Sequence, residues 1–243
     1  MCLLGCGSPS ENGATFAETN SAVGIVGGEV VAPEDPIAQV TALIELRAQF
    51  LQSSDQATSI CSGTVIATNF IVTAAHCFQD KLVTKVVVAG QTISVRRVFI
   101  HPQFDRNQPN NRYDVALLQL VKNNQIQTWA QLSTNTPEKN AEVWIAGYGR
   151  TDVNTTSLRI LNKAKMKLVV TDYNESESVV YGAEKQGACF GDSGGPAYQL
   201  KNGEIYLWGV DSRVPVENAS RCGRLEIYSK IPTVLSWIKA VIF

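Results

Sequence analysis

A nucleophilic hydrolase needs an alcohol or thiol, a base that takes its proton near neutral pH, and a group that holds the base in one tautomer. Candidates for the base are few, because the chain has only two histidines. His76 lies in Thr73-Ala74-Ala75-His76-Cys77, where small neighbours and a cysteine able to enter a disulfide would leave the ring little freedom. His101 precedes Pro102 in a polar stretch and reads as a surface or structural histidine. The alcohol is Ser193, in Cys189-Phe190-Gly191-Asp192-Ser193-Gly194-Gly195-Pro196. Glycines on both sides open backbone conformations in which successive N–H groups converge on one point, as an oxyanion hole requires. A glycine-rich β-turn with no chemistry accounts for the same run. The carboxylate is Asp114, at the head of the hydrophobic run Val115-Ala116-Leu117-Leu118-Gln119-Leu120. At a buried strand edge it would orient an imidazole and stabilise its cation. A hydrated, inert cap of that strand is the competing reading.

The elements that must position these side chains are mostly strands. Short β-rich runs recur between turn residues at 40–46, 64–72, 85–89, 93–100, 115–120, 143–146, 164–170, 205–210 and 225–229. This spacing predicts antiparallel barrels or sandwiches rather than alternating βαβ units. The tail 231–243 differs: Val234, Leu235, Ile238 and Val241 or Ile242 recur at helical intervals after Pro232, which suits a first turn. Residues 7–24 are rich in Ser, Gly, Asn, Thr and Glu and bury too little apolar surface to offset their ordering entropy, so they read as a leader or propeptide.

With 243 residues and 44% hydrophobic content, the chain can form one large all-β domain or two smaller ones. A formal net charge of -1 without basic runs offers no electrostatic footprint for nucleic acid or an anionic membrane surface. No apolar stretch approaches the roughly 18 residues of a membrane span. Leu3-Leu4-Gly5-Cys6 resembles the end of a bacterial lipoprotein signal, whose cysteine is acylated; a truncated secretory signal and a chance apolar tetrapeptide are the alternatives. Six cysteines fit an oxidising compartment. Zinc is disfavoured by the scarcity of histidine and the lack of a tight Cys-x-x-Cys pair, so no metal or cofactor is expected.

Ile25-Val26-Gly27-Gly28, Thr73-Ala74-Ala75-His76-Cys77, Asp114-Val115-Ala116-Leu117-Leu118 and Gly191-Asp192-Ser193-Gly194-Gly195-Pro196 resemble, in the same order, the four motifs of trypsin- and chymotrypsin-like serine peptidases. The likeness covers nearly all of residues 25–243. It implies two antiparallel six-stranded β-barrels with a C-terminal helix, a leader at 1–24 and a peptidase domain at 25–243. Ser193 would be the nucleophile, His76 the general base and acid, Asp114 the orienting carboxylate, and the N–H groups of Gly191 and Ser193 the oxyanion hole. The disulfides would be Cys61–Cys77 and Cys189–Cys222. Partners would be protein or peptide substrates and an activating protease, and the enzyme would be a monomer, secreted or in the cell envelope.

The same resemblance implies activation by cleavage before Ile25, whose freed amine would pair with Asp192, leaving the uncleaved chain with a malformed oxyanion hole. Gly24 stands where trypsin-like precursors carry Arg or Lys, so a different activating protease is expected. Pairing would raise the Ile25 amine above its usual ~8, and with His76 needed neutral a bell-shaped pH profile follows. At the specificity pocket, Gly187 and Ala188 stand where trypsin-like members place Asp and its neighbour, and Phe190 lies beside the nucleophile loop. Leu207-Trp208-Gly209 resembles the substrate-pairing strand, and Glu226 occupies a position that is usually Gly. A carboxylate there would attract Lys or Arg, or fill the pocket and restrict it to small apolar side chains. Recognition of Lys or Arg is the favoured reading; the alternative is that Glu226 turns out to solvent or pairs with Arg224.

Two rival functions remain open at this level. A proteolytically inactive relative acting as a binding protein would be expected to have lost His, Asp or Ser, and all three are present. An esterase using a Gly-x-Ser-x-Gly elbow would place a helix after the serine, whereas here a strand follows and the order is His, Asp, Ser. Asn154, Asn174 and Asn218 lie in glycosylation sequons.

Overall fold

The computed structural model describes residues 24–48, 58–105, 107, 112–122, 124–151, 159–183, 186–215 and 222–243, and the statements below concern these. Residues 1–23 of the leader expected at 1–24, with Cys2 and Cys6, and the sequons at Asn154 and Asn218 lie outside the described residues.

The chain enters through β1 (Glu29–Val30) and the short helix α1 (Pro36–Val40). Asp35 caps that helix by accepting the Ile37 N–H at 2.8 Å, and Pro36 supplies a φ already suited to its first turn. A first antiparallel sheet follows: β2 (Thr41–Ala48), β3 (Thr58–Ala67), β4 (Phe70–Thr73), β5 (Lys81–Val88), β6 (Gln91–Ile93), β7 (Val95–Ile100) and β8 (Ala116–Leu120). Its order is β6-β5-β2-β3-β4-β8-β7, a curled sheet of seven strands whose two edge strands are not hydrogen-bonded to each other. A second sheet contains β9 (Gln131–Leu132), β10 (Glu142–Gly147), β11 (Asn162–Asn174), β12 (Glu177–Tyr181), β13 (Pro196–Lys201), β14 (Glu204–Arg213) and β15 (Leu225–Lys230). The ladder β11-β10-β13-β14-β15-β12 returns to β11 and closes a barrel, with β1 and β9 added outside the ring. The helix α2 (Ile231–Ile242) ends the chain and buries Ile231, Val234 and Ile238, one face at helical spacing.

The all-β class and the terminal helix agree with the sequence reading, with one closed six-stranded barrel and one half-open one. The run expected at 64–72 is a hairpin, β3 and β4, turning at Thr68-Asn69, and the run at 93–100 breaks at Ser94 into β6 and β7. Strand β12 is absent from the sequence reading, and β13 appears there only as a strand of unspecified length after the serine, for physical reasons. β12 opens with Glu177 and Ser178, polar side chains that are fully buried, and β13 opens with Pro196.

Burial explains why the site is rigid. Leu117, Leu118 and Leu120 of β8 are fully buried, each contributing about 1.5–3 kcal/mol, and they anchor the strand that Asp114 precedes. His101 is buried rather than superficial: it stacks on Tyr113 with centroids 5.0 Å apart and meets Trp237 of α2 edge-on at 4.8 Å. Desolvation lowers its pKa, so it stays neutral and structural. Inside the closed barrel, Trp208 and Tyr228 pack with ring centroids 5.9 Å apart among Ile25, Val143 and Ala197.

Candidate active site

His76 sits in a 3-10 turn, Ala75–Phe78, that follows β4 directly, and the Cys61–Cys77 disulfide ties this turn to β3. Asp114 is completely buried. Its Oδ1 accepts the His76 backbone N–H at 2.8 Å and its Oδ2 lies 2.7 Å from His76 Nδ1. Oδ2 also accepts the Ser212 hydroxyl at 2.7 Å. Three donors therefore converge on one carboxylate and leave the ring a single orientation. Burial pushes the His76 pKa down, but the charge and hydrogen bond of Asp114, helped by Asp211, outweigh it, so the net shift is upward from 6.5.

The nucleophile loop spans the junction of the sheets and is strapped to both. From the first, Ser62 of β3 donates its N–H to the Ser193 carbonyl at 2.9 Å and its hydroxyl to the Gly191 carbonyl at 3.1 Å. From the second, Gly194 N–H reaches the Asp211 carbonyl at 2.8 Å, and Asp211 N–H returns to the Gly195 carbonyl at 2.8 Å. Glycine is required at 194: φ is +80°, and a Cβ would meet Thr73 Oγ1 at 2.1 Å. At Gly191 φ is +103°, and a Cβ would come within 2.8 Å of Ile60. Among the described residues, the N–H groups of Gly191 and Ser193 meet no acceptor, while those of Asp192, Gly194 and Gly195 do.

Ser193 and His76 line one cavity of about 470 Å³, together with Ile60, Cys61, Phe190 and Gly191, and with Lys81, Arg150 and Arg159 at its edge. Ser193 also lines a second, adjoining cavity of about 210 Å³. Its walls are Ala188, Cys189, Phe190, Asp211, Arg213, Val214, Cys222 and Glu226, with the Cys189–Cys222 disulfide between them. Phe190 is 56% exposed and borders both spaces.

Several residues singled out in the sequence lie elsewhere than expected. Leu207, Trp208 and Gly209 do not border either cavity. Leu207 and Trp208 are fully buried, Leu207 pairs with Leu132 and Tyr198, and Trp208 packs on Tyr228. The part of β14 that reaches the cleft is Asp211 and Arg213, followed by Val214, while the Ser212 hydroxyl between them bonds Asp114. Gly187 exchanges backbone hydrogen bonds with Val26 at 2.8 and 3.1 Å instead of forming a pocket floor. A Cβ there would lie 1.4 Å from the Gly223 carbonyl, so the segment around Gly223 closes that side. Glu226 neither turns outward nor pairs with Arg224: it is 1% exposed, while Arg224 stacks over Tyr181 at 5.0 Å and bonds its hydroxyl.

Asp192 is enclosed, accepting the N–H groups of Gly149 at 2.8 Å and Cys189 at 2.9 Å. Burial pushes its carboxyl up to about 8 despite those two amides, and the nearby Asp211 adds to the rise. Ser62, Ser212, Asp211 and Arg213 carry parts of the site that the sequence did not single out. Only a hydrogen-bond partner or a wall of the cavity, each supplied by a distant strand, gives them meaning.

An imidazole backed by a buried carboxylate, an alcohol in the same cavity and two nearby amide groups without an acceptor among the described residues suit acyl transfer. Comparisons agree. A family model described as trypsin matches residues 40–238. Chymotrypsin-like elastase family member 1 of Bos taurus is 27% identical over 255 residues, covering 93% of this chain and 92% of the relative. The Homo sapiens protein of the same name is 30% identical over 211 residues, covering 75% of this chain and 81% of the relative. The solved structure of HL collagenase has the same fold, with a TM-score of 0.72 at 24% identity over 90% of this chain and 98% of that one. From the family match and the shared fold it follows that this chain belongs to the trypsin family and is a serine endopeptidase.

Proposed function

We propose that Ser193 attacks the scissile carbonyl while His76 takes its proton and later delivers it to the leaving amine, with Asp114 holding the Nδ1–H and stabilising the imidazolium. These roles are those of the family's type example, carried over to this chain. The N–H groups of Gly191 and Ser193 receive the oxyanion, each such donor contributing about 2.7–4 kcal/mol to the transition state. One observation carries the reading: Asp114 holds His76 Nδ1 at 2.7 Å on the wall of the cavity that Ser193 also lines. A serine-directed organophosphate should label Ser193 in the processed domain, and His76→Ala should abolish that labelling along with peptide turnover. Labelling elsewhere, or turnover of simple esters without peptide amides, overturns the assignment.

We infer that the chain is made as a precursor cleaved between Gly24 and Ile25 by another protease. Supporting this, Ile25 is 1% exposed and Val26 bridges to Gly187, two residues from the cysteine whose amide Asp192 accepts. A carboxyl raised to about 8 binds its proton more tightly folded than unfolded, so its contribution to stability is greatest below 3.8 and is lost as pH rises towards 8. An ammonium delivered by cleavage would reverse that penalty and hold Asp192 ionised. Edman sequencing of active enzyme should begin at Ile25; any other start sinks the scheme.

For specificity, the buried Glu226 in the cavity beside Ser193 supports a preference for Lys or Arg before the scissile bond. Two disulfides support an oxidising, extracytoplasmic location and a secreted enzyme. No helix among the described residues is long and apolar enough to cross a membrane.

A further inference from the structure

Glu226 is not the only acid in the smaller cavity. Asp211 comes from β14 and Glu226 from β15, adjacent antiparallel strands in which Asp211 lies opposite Tyr228. Directly opposed residues share a face, as do residues two apart on one strand, so Asp211, Tyr228 and Glu226 project to the same side. Both acids are wall residues of the cavity that Ser193 lines. Asp211 is 5% exposed, and its Oδ1 has no hydrogen-bond partner among the described residues; Glu226 Oε1 is likewise without one. Such orphaned buried oxygens are uncommon, because each forfeits its hydration for nothing in return.

Among the described residues, the charges around the pair do not supply the missing partner. Arg213 borders the same cavity, but its guanidinium is committed to the fully buried Glu177, through one bond at 2.9 Å and a second to the other oxygen. His76 is the basic group that opposes the rise at Asp211, and it is already bonded to Asp114. The remaining ionisable groups acting on the pair, Asp114 and Asp192, are acids, and Tyr228 is a neutral phenol held well above its usual pKa by burial. Burial accordingly raises the Asp211 carboxyl to about 7, with His76 opposing the rise and Asp114 adding to it, and raises Glu226 further from its normal range, with Asp211 and Asp192 contributing.

We propose that Asp211 is a second specificity-determining acid of this endopeptidase, converging with Glu226 on the single ammonium of a lysine side chain that enters the cavity before the scissile bond. This rests on the peptidase reading above and adds to it a residue and a preference. Each acid offers one unpartnered oxygen, and the two come from different strands. That arrangement suits the three divergent donors of an ammonium. A guanidinium favours both oxygens of one carboxylate, whereas here the two unpartnered oxygens belong to two different acids. Lysine is therefore expected to be cleaved faster than arginine.

The test compares kcat/KM for matched peptides carrying Lys, Arg or norleucine before the scissile bond, with active enzyme counted by organophosphate titration. The processed parent should prefer Lys over norleucine by at least about a hundredfold, the scale of a buried charge pair. Asp211→Asn should cut that ratio at least tenfold, and Glu226→Gln likewise. Asp211→Val, which replaces the acid by an apolar group of similar size, repeats the measurement should the amide variant fold poorly. In the parent, n-butylamine should compete with the Lys peptide more strongly than n-butanol does. Failure of the parent to titrate would overturn the peptidase reading itself. Normal titration with an unchanged Lys-to-norleucine ratio in both Asp211 variants, or with butanol as effective as butylamine, would overturn this proposal and leave the peptidase intact.

Discussion

Two kinds of buried carboxylate stand within one cleft. Asp114 has three donors aimed at it, from the His76 main chain, the His76 ring and Ser212. Asp211 and Glu226 are nearly as buried, yet each retains an oxygen with no partner among the described residues. The first is a finished component, oriented before any substrate arrives, and its value lies in geometry. The other two carry an unmet electrostatic demand that a cation can satisfy. Position alone does not separate these cases; the count of donors around each oxygen does.

Breaking the satisfied side should have the largest effect. Asp114→Asn keeps the shape of the side chain but offers an amide donor where the His76 Nδ1–H needs an acceptor, and kcat should drop by about 10⁴, as in the family's type example. A loss below tenfold would mean that the ring is oriented by something else. Next comes Glu177, which shares its two oxygens with Arg213 and accepts from Asn174 as well. Glu177→Ala strands a partly buried guanidinium beside the cleft and should destabilise the fold by about 3–5 kcal/mol in urea titration. By contrast, Asp211→Val should change stability by no more than about 1 kcal/mol or raise it, since it removes an acid that had not found its partners. Equal losses for these two variants would erase the distinction drawn above.

Smaller effects sharpen the same contrast. Ser212→Ala removes one of three donors to Asp114 and should reduce kcat by about tenfold or more, in line with about 1.5–3 kcal/mol for a hydrogen bond to a charged group. The pH response is subtler. His76 must be neutral to act as base, and its pKa is raised, so kcat/KM should be lost as pH falls through a value above 6.5. Because the Asp211 charge contributes to that rise, Asp211→Val should move the acid limb towards lower pH while Glu226→Gln leaves it in place. A limb unmoved in the Asp211 variant would indicate that this carboxyl stays protonated throughout.

Much of the fold was legible because apolar runs and turn residues report strands locally. β8 and α2 appear nearly at their true limits, since Leu117, Leu118 and Leu120, and Val234 and Ile238, follow the periods of a buried strand and a one-sided helix. β12 was hidden because its Glu177 and Ser178 are buried through partners on other strands, which no local pattern records. The misplaced Leu207-Trp208-Gly209 has the same origin: Trp208 belongs to the barrel interior, and its resemblance to a substrate-pairing strand is a matter of letters.

The amino-acid order determined which groups could do chemistry: a histidine between small residues, a serine among glycines, an aspartate before an apolar strand, and cysteines beside them. Those are properties of type and near neighbours. Tertiary structure alone decided which carboxylate would be satisfied and which left wanting, because the donors come from far along the chain: Ser212 reaches Asp114 across a sequence separation of 98, and Glu226 shares its cavity with Asp211 only where β14 and β15 lie side by side. Burial and hydrogen-bond partnership are set by the whole fold, so whether an acid orients a ring or waits for a cation is written in packing rather than in local sequence.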